Sequence, residues 1–314
     1  MIMMRVARVL VRMLIPACVI LGCVTACGEA APPAPKQVTT PDLASSAQLN
    51  LPIGAYELTD TENAEVEYLS ELYAQRCMRG FGFDYIPGLS VSSIAEHVRI
   101  SEELNSRRYG VSDAAAAATY GYNMPAWTRG MAAPVSISSL PHAEFAVLTG
   151  QRAGDYDRRP IPRGGCLTQA SRDLSAAGID AAAQGEGASA DSALTQQIAN
   201  QDFLRAQSDP RVLAVDARWA ACMRSYGVVG YTSPLTAAMA WNLNVPASTS
   251  EIHTAVHDVA CKQKVDLVGV EFAVESDYQN ADIARNAQTL AQAKAEIATD
   301  AAGIRRLMAS VRPA

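Results

Sequence analysis

The chain lacks the run of about 20 apolar residues that a helix needs to cross a bilayer comfortably. Its signal-like uncharged stretch, Met13–Ala26, has only fourteen. It also lacks G-x-S-x-G, P-loop, G-x-G-x-x-G and H-E-x-x-H motifs, so the hydrolases, nucleotide binders and zinc proteases built on them find no support. No C-x-x-C pair is present, which leaves a zinc site as a minor alternative for the cysteines. Positive charge is in deficit, with 26 Lys and Arg against 32 Asp and Glu. That balance argues against nucleic acid as a partner and against electrostatic binding to anionic lipid.

What is there begins at the N-terminus. Arg5, Arg8 and Arg12 precede the apolar stretch with no acid among them. A basic segment, a short apolar core and small residues at a cleavage point mark a secretory signal over residues 1–26. Val24-Thr25-Ala26-Cys27 resembles a bacterial lipobox, which implies diacylglyceryl transfer to the Cys27 thiol and cleavage before it. An ordinary signal cut after Ala26 is the alternative, and Cys23 is a poorer second candidate. Loss of the signal would leave 23 basic against 32 acidic residues, a net charge of −9. Residues 27–54, rich in Ala, Pro and Ser, read as a disordered tether.

Cys77, Cys166, Cys222 and Cys261 remain. An even number in an exported chain suggests two disulfides, with three possible connectivities. CMRGFG at Cys77 and CMRSYG at Cys222 point to an internal duplication, each at the end of a helical pattern and each followed by a further cysteine. Pairing within the units would join Cys77 to Cys166 and Cys222 to Cys261.

The W-x-x-C-M-R-x-x-G pattern at Trp219–Gly227 is similar to a group of uncharacterised actinobacterial lipoproteins. So are RRYGVSDAAAAATYGY from Arg107, GGC at Gly164–Cys166, and DVACK followed by a long helix. The resemblance covers most of the mature chain and implies no activity. The first repeat departs from it, with Ala74 where the second has Trp219.

The expected fold is mainly α: a first helical unit at 55–180, a small-residue linker at 181–194, and a second unit at 195–314 with a long C-terminal helix. Ser112-Asp113 can cap the alanine run that Gly121 stops, whereas 123–165 reads as loop with a short helix. Ser250 marks a helix start, and from there to Arg312 no proline intervenes. Ile283, Ala287, Leu290, Lys294, Ile297, Ala301, Ile304, Met308 and Val311 form a weak heptad seam. It suits packing on the same chain, with a coiled-coil arm as the alternative.

Candidate chemistry is thin. His253 and His257 share a helical face with Glu251 or Asp258 nearby, but no third metal ligand can be placed. Glu271 and Glu275 also share a face, near Asp277, and read as a solvated face rather than a catalytic pair. Arg158, Arg159 and Arg163 could receive an anion, though a solvated loop is the simpler account. Arg79 and Arg224 suit helix C-termini, and Trp127, Trp219 and Trp241 suit core or loop anchors. The expectation is a non-enzymatic, lipid-anchored module on the extracytoplasmic face of the cell membrane, without a cofactor, binding an envelope protein, the cell wall or a small ligand. A small-molecule receptor accessory to a transporter or sensor is the alternative, and a hydrolase or metal enzyme the next.

Overall fold

A computed structural model describes Thr40 and residues 49–129, 139–151, 154–180 and 190–311. The signal-like opening, Cys27, most of the tether and linker residues 181–189 lie outside the described residues. Among those described, the chain is mainly α, with eleven α-helices and one short hairpin.

The duplication is visible in backbone geometry. Helix α1, Asp60–Gly80, starts on a Thr59–Glu62 capping box, and α7, Pro210–Ser225, starts on Asp209 with proline in its first turn. Both end alike. The N–H of Phe83 donates to Met78 O, and that of Val228 donates to Met223 O, each at 3.1 Å. Gly82 and Gly227 supply the positive φ that this closure needs, at 86° and 77°. A second capping box follows in each repeat. Ser90 with Ser93 opens the 3-10 turn that leads into α2 (Ile94–Asn105), and Ser233 with Thr236 opens α8 (Pro234–Met239).

Each repeat is stapled. Cys77 is bonded to Cys166 in α5 (Gly165–Ala176), and Cys222 to Cys261 in α9 (Thr249–Val265), with Cα atoms 5.6 and 5.7 Å apart. Each bond closes a long loop of the unfolded chain and stabilises by about 4 kcal/mol on the loop-entropy account.

Several boundaries differ from expectation. Residues 52–54, expected to belong to a disordered tether, are instead structured: Pro52–Tyr56 forms a 3-10 turn with Ile53 buried. The Ile53 N–H donates to Gln279 Oε1 at 3.1 Å. Helix α6, Ala190–Gln207, begins inside the expected linker. The region 123–165 holds the expected short helix, α4 (His142–Thr149), and in addition a hairpin pairing Asp155–Tyr156 with Arg159–Pro160. Its turn residues Asp157 and Arg158 both take positive φ, as a type I′ turn requires.

The helical stretch after residue 248 is three helices. Ser248 rather than Ser250 caps α9. Asp266, in the left-handed region at φ 55°, separates it from α10 (Leu267–Arg285), and Asn286 precedes the 24-residue α11 (Ala287–Ser310). The seam of α11 packs on the chain itself. Ile304 is buried among Ala64, Leu69, Leu174 and Ile179, while Leu290 meets Ile53 and Ile198. Helix α3 (Ala114–Tyr120), capped by Asp113 and stopped at Gly121, packs against α9. First-half elements therefore complete second-half cores, and the reverse. No described helix is long and apolar enough to cross a membrane.

Candidate functional site

The densest chemistry lies where α7, α9 and α10 meet the segment Arg107–Asn123. Asp258 on α9 is wholly buried; its carboxylate accepts from Trp219 Nε1 at 2.9 Å and from Lys262 Nζ at 3.0 Å. Lys262, one turn on and also buried, donates to Val111 O at 2.8 Å. On α10, Glu275 is buried completely and accepts from Arg108, from Tyr109 Oη at 2.8 Å and from Gln279 Nε2 at 2.9 Å. Burial, then the adjacent Glu275 carboxylate, pushes the Tyr109 hydroxyl well above the ordinary tyrosine range. Its proton stays on oxygen and is donated.

The segment RRYG is used throughout. Arg107 donates to Glu103 and Tyr122 O, and Arg108 and Tyr109 donate to Glu275. Gly110 sits at φ 80°, where a Cβ would lie 2.8 Å from Lys262 Nζ. Gly121, at φ 59°, leaves room for Glu251, whose Oε1 accepts from Tyr122 N and Asn123 Nδ2 at 3.1 and 3.0 Å.

Two further carboxylates complete the cluster. Asp216 on α7 and Glu271 on α10 are 6% and 2% exposed, and among the described residues no donor meets Asp216 Oδ1 or Glu271 Oε2. Asp258, Glu275, Asp216 and Glu271 thus face two cations, Lys262 and Arg108, while Glu251 is held by Tyr122 N and Asn123 Nδ2. Burial outweighs the pull of Lys262 and raises the Asp216 carboxyl to about 6. Burial, reinforced by Asp216, raises Glu271 to about 8. At neutral pH the Asp216–Glu271 pair therefore retains a proton.

Asp216 also lines an open groove of about 680 Å³, whose apolar walls include Phe203, Leu204, Leu213 and Tyr231. Gln207 lines the same groove and faces Glu271. A second cleft of about 590 Å³ lies beside Trp127, over whose ring Arg99 sits at 4.1 Å.

The expected solvated face is corrected: Glu271 and Glu275 point inward, while Asp277 points out and pairs with Arg211. Their spacing showed a common face, but the side on which it lies depends on where Arg108 and Lys262 arrive. His253 and His257 meet at 3.2 Å, with His257 stacked on Tyr226 at 4.1 Å between ring centres. Burial, then His253, lowers the His257 value. Glu251 and Asp258 turn inward, and no described group of three His, Cys, Asp or Glu side chains could hold a metal.

Arg158 sits on the hairpin turn, Arg159 donates to Gly80 O, and Arg163 O accepts from Arg172. Arg79 and Arg224 occupy the last turns of α1 and α7. Trp219 is core, and Trp241 packs against the same core. Asp216 escaped the sequence reading because an isolated acid on a helix carries no motif.

No protein-family model matches this chain, and neither the curated proteins nor the solved structures contain a significant match.

Proposed function

We propose that this chain is a lipid-anchored binding protein on the extracytoplasmic face of a cell membrane, built to hold a small ligand. The observation that carries the location is the pair of disulfides, each with one fully buried cysteine, Cys166 and Cys261. Such bonds persist in oxidising compartments. The basic, apolar and small-residue order that ends at Cys27 supplies the export signal and the thiol for a lipid.

The groove beside Asp216 favours the small-ligand form of this reading over docking to a wall or an envelope protein. It combines apolar walls with an unsatisfied buried carboxylate, a combination suited to orienting a small molecule.

The location is tested with Cys27→Ala expressed in a bacterial host fed radiolabelled palmitate. The unmodified chain should take up label and sediment with membranes. The variant should lose the label and appear in the soluble fraction. A variant that keeps both label and sedimentation would overturn the assignment.

A further inference from the structure

The two repeats place an acid at the same point, six residues before the first cysteine: Glu71 in α1 and Asp216 in α7. In the first repeat the acid is satisfied by the loop after the helix, because Leu89 N donates to Glu71 Oε2 at 2.7 Å. Leu89 directly precedes the Ser90 capping box. The residue in the same place in the second repeat is Thr232, just before the Ser233 box. Its N–H goes instead to Thr236 Oγ1, at 3.2 Å. Aspartate is also one methylene shorter than glutamate. Asp216 is therefore left without the donor its counterpart has, and the space between it and Thr232 is the groove.

We propose that this groove binds a small organic amine, its ammonium seated on the Asp216 carboxylate and its apolar body along Phe203, Leu213 and Tyr231. The proposal rests on the small-ligand reading above and is independent of the anchor.

Charge selects a cation over a neutral donor. The charged groups around Asp216 are Lys262 from α9, Glu271 from α10 and Arg224 at the end of α7. Lys262 is already committed to Asp258 and Val111 O, so it acts on Asp216 only through its field. Asp258 and Glu275 are already paired with Lys262 and Arg108, so with the Asp216–Glu271 pair still holding one proton the remaining negative charge has no buried cation of its own. Arg224 lines the groove from an exposed position, where solvent screens it, so a positive ligand at Asp216 is favoured. A buried carboxylate that lacks donors costs far more than one that accepts a charged hydrogen bond. The absence of a third ligating side chain among the described residues favours a single-charged amine over a divalent metal. The volume of about 680 Å³ lies within the usual span for small-molecule sites. Leu204 and Leu213, 65% and 53% exposed, offer uncovered apolar surface to its body.

The test is calorimetric titration of the purified full-length chain with benzylammonium, using benzyl alcohol as the neutral control of similar shape. Benzylammonium should bind one saturable site at least about tenfold more tightly than the alcohol, the charge contributing that difference. Asp216→Asn should reduce the amine to the level of the alcohol, and Glu71→Gln should leave it unchanged. Ala217→Trp, an exposed substitution on the groove wall, should block binding while leaving the buried carboxylates in place. Binding should also weaken at about pH 4.5, where Asp216 becomes protonated. No saturable binding, equal affinity for amine and alcohol, or full binding by Asp216→Asn or Ala217→Trp would overturn the proposal. Such a failure would leave the Cys27 labelling result standing, so the two readings fail separately.

Discussion

Glu271 and Asp216 are both largely buried beside the groove and act on each other's charge, so both cannot be charged cheaply. Glu271 rises from its ordinary value of 4.5 to about 8. Between those values the folded chain holds a proton that the unfolded chain has released. Stability therefore falls as pH rises through this window, with a slope of about 1.4 kcal/mol per pH unit from this group. Asp216 acts in the same direction lower down, between 3.8 and about 6. Glu271→Gln should remove the slope above about pH 6 in urea-unfolding midpoints. A variant with an unchanged slope would show that Glu271 ionises normally. Alternation and spacing could not reveal this, because they place two acids on one face without saying what faces them.

At the scale of elements, the repeat is a helix whose last turn is tied by a disulfide to a later helix. The loops closed by Cys77–Cys166 and Cys222–Cys261 span 89 and 39 residues. Chain entropy makes the longer closure worth about 0.7 kcal/mol more than the shorter. Replacing each pair by serines should therefore cost about 2–5 kcal/mol, with the larger loss for Cys77–Cys166. Denaturant unfolding of the two double variants checks both size and order; a larger loss for the second pair would contradict the entropic account. The helices around the disulfides were legible from caps and periodicity. Their interruption at Asp266 was not, since a left-handed aspartate between two good helical segments leaves little trace in composition. Gly269 leaves room for the Asp266 side chain, since a Cβ there would come within 2.5 Å of Asp266 Oδ1.

Over the whole molecule, the described residues form one compact body whose cores do not follow the repeat boundary. Ile304 of α11 is fully buried on α1 and α5, and α3 of the first half covers α9 of the second. Ile304→Ala should cost about 2–5 kcal/mol through lost contact and a residual cavity. Because the cores are shared, calorimetry should show one transition moving down in temperature. Two separable transitions, with only one affected, would show that the halves unfold independently.

The sequence by itself determined the helical class and the repeat with its two helix-ending motifs, while the pairing of the cysteines within each repeat was suggested by the repeat and decided by the structure. The class and the repeat follow from local rules, because caps, periodicity and a shared hexapeptide are written in neighbouring residues. Only the tertiary structure decided that RRYG reaches into α9 and α10, that Glu271 and Glu275 face inward, and that Asp216 lacks the donor Glu71 receives. Each depends on groups far apart in the chain, and burial of a charge is a property of what surrounds it.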